Sequence, residues 1–148
     1  MPAANINAKG RRKTAPFVGI PKAVLATDKY AQLSGWDVKL LLDIVSQYNG
    51  RNNGDLAAIW SDSETFQGMS SRGWRSKGTL YRSVQNLINA GFIQVTRRGG
   101  QHKPTLYAIT WEPVDEIIHP RTKASKLDAG FTSRRALTVA AGLWKDEA

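Results

Sequence analysis

Between Arg72 and Lys103 the chain carries seven Lys or Arg and no Asp or Glu. The segment reads RGWRSKGTLYRSVQNLINAGFIQVTRRGGQHK. Its polar side chains are of the kinds that pair with nucleic acid. Arg can bond guanine through two donors, Asn and Gln can bond adenine, and a Thr methyl can meet the methyl of thymine. Lys and Arg neutralise phosphates, which positions a protein on a duplex without reading its sequence. The candidates fall into three groups: Arg75, Ser76, Lys77, Thr79, Arg82, Gln85 and Asn86; Arg97, Arg98, Gln101, His102 and Lys103; and, near the N-terminus, Lys9, Arg11, Arg12 and Lys13.

The first two groups need a helix and a hairpin to present them. Ser76 is a good N-cap residue. Behind it Leu80, Val84, Leu87 and Ile88 recur at helical spacing and define one buried stripe. The opposite face is left to Arg75, Thr79, Arg82, Gln85, Asn86 and Asn89. Gly78 lacks a Cβ, so the first turn could approach a phosphate with its N–H groups exposed. Asn89-Ala90-Gly91 stops the helix. Phe92 to Arg97 and Thr105 to Trp111 read as two strands, with Tyr107, Ile109 and Trp111 on one face. The glycine-containing loop between them carries the second basic group. A helix followed by strand, basic loop and strand is the order of a recognition helix and a wing.

The charge is segregated along the chain. The formal net charge is +9. Residues 1–22 hold five basic side chains and no acid, residues 23–64 three basic and six acidic, residues 65–111 seven basic and none acidic, and residues 112–148 six of each. Segregation of this kind is the electrostatic footprint of a polyanion binder; an even mixture would suit a merely solubilising surface.

The remaining segments should build a core behind that surface. Pro21 suits the first position of a short helix, and Thr27 or Asp28 could cap the next turn. Ser34-Gly35-Trp36-Asp37 resembles a capping box. It opens a helix to Gln47 or Tyr48 with Leu41, Ile44, Val45 and Tyr48 inward, and Asn49-Gly50 stops it. Leu56 to Trp60 should be a short strand or an extended link. Ser61-x-x-Glu64 is a second capping-box match and predicts a short helix through Met69, weakened by Gly68. Gly73 permits a sharp turn, and Trp74 is expected as an apolar anchor wedging two helices apart. After Trp111 no period is clear until a last helix from Thr132 or Ser133, where Ala136, Leu137, Ala140, Leu143 and Trp144 form a stripe that could dock on the body or pair with a second copy.

Other chemistries find no constellation. There is no cysteine, hence no disulfide framework and no thiolate. His102 and His119 lack spaced metal-ligand partners. RRGGQHK lacks the Walker A spacing. Neither an enzyme nor a cofactor or metal is expected. No apolar run approaches the roughly 18 residues of a membrane span, and the N-terminus has no apolar stretch behind its basic residues. A cytoplasmic location without membrane partners is expected.

The pattern as a whole resembles a winged-helix family of bacterial prophages, plasmids and integrative elements. The likeness begins at FVGIPKAVL, continues through LLLDIVSQYNGRNNGDL, and is strongest at RGWRSKGTLYRSVQNLINAGFIQVTRRG and LYAITW. It spans residues 17–115. It implies an α+β fold, mainly α, built as a winged helix-turn-helix with a two- to three-stranded antiparallel wing. By the resemblance Ser76, Lys77 and Thr79 begin the recognition helix, and Arg97 and Arg98 lie at the wing. Two departures stand out: Gly68 and Ser70-Ser71 occupy the place of a longer charged second helix, and the two tails lie outside the shared pattern. The expected organisation is a basic flexible arm (1–16), a winged-helix domain (17–115), and a linker with a C-terminal amphipathic helix (116–148). The expected partner is double-stranded DNA, with a homodimer through the last helix as a possibility. The expected role is sequence-specific transcriptional regulation of a mobile element. The alternatives are a replication initiator or replisome organiser of the element, and a protein-interaction module.

Overall fold

A computed structural model describes residues 15–131 and 143–146. The basic cluster Lys9, Arg11, Arg12 and Lys13 and most of the expected last helix lie outside the described residues. Two short helices, α1 (Lys22–Leu25) and α2 (Asp28–Ala31), lead into α3 (Gly35–Val45). After the two-residue strand β1 (Leu56–Ala57) come a 3-10 turn (Met69–Arg72), the long helix α4 (Lys77–Asn89), and strands β2 (Ile93–Arg97) and β3 (Leu106–Ile109). The strands form one antiparallel sheet in the order β1-β3-β2. The architecture is therefore α+β, with four α-helices among the described residues and a three-stranded antiparallel sheet compatible with a wing.

Caps set the helix starts. The Ser34 hydroxyl accepts from Asp37 N at 3.2 Å and the Asp37 carboxylate accepts from Ser34 N at 3.1 Å, closing the expected box at α3. Thr27 caps α2 by accepting from Tyr30 N. Pro21 stands at the N-cap of α1, one place before the expected first helical position. Helix α3 ends at Val45, earlier than expected, and Gln47 and Tyr48 continue in tight turns bonded to the carbonyls three residues back.

The Gln47 side chain then takes a strand-like role. Its amide nitrogen donates to Ala57 O at 2.7 Å, and its amide oxygen accepts from Ala57 N at 3.0 Å. One side chain thus satisfies both outward backbone groups of Ala57 on the edge strand β1.

The helix expected from Ser61 to Met69 is not formed. Short polar side chains tie the backbone into a loop instead. The Asp62 carboxylate accepts from Gly68 N at 2.6 Å and from the Ser71 hydroxyl, while Ser63 Oγ accepts from Thr65 N and Phe66 N. Gly68 packs directly on the backbone of Trp60, Ser61 and Asp62, where no Cβ would fit. The turn that replaces the helix is anchored by Met69 N and Ser70 N, which donate to the carbonyls of Ile59 and Trp60.

Two apolar clusters hold the body together. The larger fills the space between α3, α4 and one face of the sheet, with Leu40, Leu41, Ile44, Leu80, Val84, Leu87, Phe92, Ile93 and Ile109 buried in it. The second lies on the opposite face of the sheet, where Ala57, Leu106 and Ala108 meet Val114, Ile117 and Leu127. Ile117 and Leu127, in the segment expected as linker, therefore pack onto the body, while residues 118–125 between them are exposed. Asn53, fully buried, joins the chain after β3 to the sheet: its side chain bonds both backbone groups of Ile109 and the carbonyls of Glu112 and Pro113. Farther along, Trp144 packs against the larger cluster and the Asp146 carboxylate accepts from Asp28 N and Lys29 N, so residues 143–146 rest on the body. No helix among the described residues is long and apolar enough to cross a membrane.

Candidate nucleic-acid interface

Helix α4 is fixed at its start by a hub on α3. Gly73, at φ 88°, turns the chain out of the 3-10 turn. Trp74 is then 3% exposed, and its indole Nε1 donates to Asp43 Oδ2 at 2.9 Å. Lys39 Nζ and Arg72 Nη2 reach the same carboxylate at 3.1 and 3.3 Å. A buried carboxylate without such partners would be costly, so three donors converging on it make Asp43 a firm seat for the turn. Trp74 serves as the expected anchor, with a polar tether that its sequence context does not signal. Trp36 of α3 packs against it at a tilt of 41°, ring centroids 5.0 Å apart.

Ser76 caps α4 by accepting from Thr79 N. Leu80, Val84 and Leu87 are buried, as the stripe requires, and Ser83 is buried with them. At 100° per residue Gly78, Arg82, Gln85 and Asn89 share roughly 60° of arc on the opposite side. Arg75, Lys77, Arg82 and Gln85 are exposed and Thr79 is half-buried. Nothing but the Ser76 hydroxyl, at 3.6 Å, would meet a Cβ on Gly78, so its bare backbone faces open space.

One expected reading residue is otherwise engaged. Asn86 is exposed, but its amide donates to both Asp37 carboxylate oxygens at 3.2 and 3.4 Å. It ties the far end of α4 to the capping box of α3, and its donors are not free for a base. On the other flank of α4 stands Tyr81, 52% exposed and absent from the sequence-based candidates. It neighbours Tyr107 of β3, whose phenol is pushed above its ordinary pKa first by burial and then by the nearby Tyr81. The signal for Tyr81 was an aromatic residue just outside the apolar stripe, a position that the stripe alone leaves undecided.

The β2–β3 loop forms the expected hairpin. Gly100 and Lys103 exchange both backbone hydrogen bonds at 3.0 and 3.1 Å, leaving Gln101 and His102 at the tip, with His102 at φ 60°. Arg98, Gln101, His102 and Lys103 are exposed. Arg97 departs from expectation. It is half-buried, its Nη2 donates to Pro104 O at 2.8 Å, and it braces the hairpin. Between Val95 and Arg97 the register slips by one residue; the extra residue, Thr96, is buried and its hydroxyl donates to Gly54 O at 2.7 Å.

Of the seven basic residues from Arg72 to Lys103, Arg72 and Arg97 are thus held by the fold. Arg75, Lys77, Arg82, Arg98 and Lys103 remain exposed, and none makes a side-chain hydrogen bond to another described residue. The nearest acids of α3, Asp37 and Asp43, are buried and bonded. Helix α4 thus presents exposed cations and no acid, and the hairpin that follows it carries Arg98 and Lys103 exposed. Two concavities, of about 360 and 960 Å³, lie elsewhere on the body and take no residue from α4.

Comparison of the chain with protein-family models, with curated proteins and with solved structures gives no match.

Proposed function

We propose that this chain binds double-stranded DNA as a winged helix. Helix α4 enters the major groove, and the β2–β3 hairpin is the wing that meets the backbone or minor groove. The observation that carries this reading is the set of exposed side chains at and on α4, Arg75, Lys77, Arg82 and Gln85, with a bare Gly78 and no acid on the helix, together with the exposed Arg98 and Lys103 of the hairpin. A helix of this diameter fits the major groove, and its side-chain inventory suits both phosphates and base edges. The role we propose for that binding is sequence-specific transcriptional regulation within a mobile element, with replication initiation or organisation of the element as the neighbouring role.

Selection of bound fragments from a random DNA pool tests the reading. Enrichment of a common site is the expected result. A palindromic site would indicate two copies related by a two-fold axis, and direct repeats an origin-like array. Equal, weak retention of all sequences would remove sequence-specific regulation, and no retention at low salt would remove DNA binding itself.

A further inference from the structure

The hairpin is held from a side that the sequence-based reading left as linker. After β3 the chain crosses behind the sheet, pinned where Asn53 N donates to Asp115 Oδ2 and Asp115 N donates to Asn53 O. Ile117 and Leu127 bury themselves against the sheet, and Lys126 pairs with Asp55 at 3.0 Å. The chain then runs along the outer edge of β2. Asp128 N donates to Thr96 O at 2.8 Å, and the Asp128 carboxylate accepts from Arg98 N at 3.0 Å. These two bonds flank Arg97, directly after the bulge at Thr96, where an extra residue bends and twists a strand. Asp128 thereby occupies the free edge of β2 at the base of the hairpin, one bond from its backbone and one from its side chain.

An exposed carboxylate is electrostatically misplaced here. It stands against the backbone of Arg98, next to side chains that are to meet a polyanion, and its charge opposes that meeting. Its geometry offers what its charge does not. With the Arg98 N–H and the Thr96 carbonyl both fixed, the direction in which the hairpin leaves the sheet is fixed as well.

We propose that Asp128 is a positioning residue for the wing: by clamping the outer edge of β2 at the bulge, it sets the direction in which Arg98 and Lys103 reach the duplex. This inference rests on the DNA-binding reading. It adds that residues 114–131 belong to the binding machinery, because they carry the clamp.

Asp128→Ala and Asp128→Asn separate geometry from charge, since both remove the same negative charge but only the asparagine keeps an oxygen that can accept from Arg98 N. The full-length chain is used, with a duplex recovered by selection or, failing enrichment, a mixed-sequence duplex three helical turns long. Hydroxyl-radical footprinting reads the wing flank and the α4 contacts separately. The expected result is that Asp128→Ala loses protection on the wing flank, keeps it at the α4 site, and weakens binding by roughly three- to tenfold, the scale of one ordinary hydrogen bond. Asp128→Asn keeps the wing protection. Amide exchange at Arg98 should quicken by a similar factor in Asp128→Ala, with α4 unchanged. Tighter binding by both variants alike would reduce Asp128 to a local charge and overturn the clamp. So would an unchanged footprint, or unchanged exchange at Arg98, in Asp128→Ala. A wild-type chain that protects no duplex would instead sink the DNA-binding reading.

Discussion

Arg82 and Asn86 lie one helical turn apart on α4, both exposed, and the structure assigns them different work. The Arg82 side chain makes no hydrogen bond to another described residue, whereas Asn86 donates to Asp37. Arg82→Ala should therefore weaken DNA binding by about 1–3 kcal/mol and relax sequence preference if it reads a base; uniform weakening across sequences in a competition gel shift would reassign it to phosphate. Asn86→Ala should instead cost about 1 kcal/mol of folding stability, from a lost bond to a carboxylate, while leaving DNA affinity nearly unchanged. A large loss of affinity with an unshifted melting curve would return Asn86 to the interface. Gly78 separates stability from binding in the opposite sense. A methyl group there meets only open space, so Gly78→Ala should stabilise the helix by about 0.5–1 kcal/mol. If the first turn lies close against a phosphate, the same methyl should lower affinity; equal or tighter binding would place the backbone farther from α4.

At the scale of elements, local signals marked most boundaries. Ser34 and Asp37 announced the start of α3, Ser76 announced α4, and the Leu80–Leu87 stripe gave its buried face, because caps and helical stripes depend on residues a few positions apart. The segment from Ser61 to Gly68 carried the same capping letters and formed a loop. There Asp62, Ser63 and Ser71 bond the local backbone, and Gly68 lies against the chain of Trp60 to Asp62, a tertiary fit that no spacing rule contains. Gly68→Ala should cost about 2–3 kcal/mol by overpacking, in contrast to the gain expected at Gly78; a denaturation midpoint at or above that of wild type would show that the loop yields. The candidate site was legible to the same extent in its exposure alone. Exposed cations on α4 and the hairpin tip followed from pattern, but the diversion of Asn86 to Asp37, of Arg72 to Asp43 and of Arg97 to Pro104 depends on partners brought close by folding. Residues 116–131 showed no period because they pack through single side chains, Ile117 and Leu127, rather than through a repeating face.

For the whole molecule, the proposed DNA binding predicts that the basic groups act together through the ion atmosphere of the duplex. If six to ten phosphates are neutralised, affinity should fall by roughly 10³- to 10⁵-fold between 50 and 200 mM salt. Removing residues 1–14, with Lys9, Arg11, Arg12 and Lys13, should lower the slope of log affinity against log salt by up to about 4 if all four reach phosphates. An unchanged slope would leave the duplex to the folded body alone. Alkaline pH acts on the fold through Tyr107, whose folded-state pKa is raised above its ordinary value first by burial and then by Tyr81. The neutral phenol is the form the fold accommodates. Its stabilisation is complete below the unfolded value and is lost as pH rises through the folded one. Unfolding midpoints should accordingly hold steady up to about pH 10 and fall beyond it, with a shallower fall in Tyr107→Phe. Identical profiles for the two proteins would remove Tyr107 from the alkaline transition.

The Gln47 amide that bonds Ala57 bears on how copies of this chain can meet. A bare edge strand is a template on which a second molecule can lay its own strand, by design in β-augmentation or by accident in aggregation. With both outward groups of Ala57 already satisfied at β1, and Asp128 bonded to Thr96 and Arg98 at the hairpin end of β2, part of each rim of this sheet is already taken within a single molecule. Two copies on adjacent half-sites would then associate through side chains or helices rather than through a shared sheet. Gln47→Ala should reopen that route, and concentration-dependent self-association of the variant, absent in the parent chain, is how it would be seen.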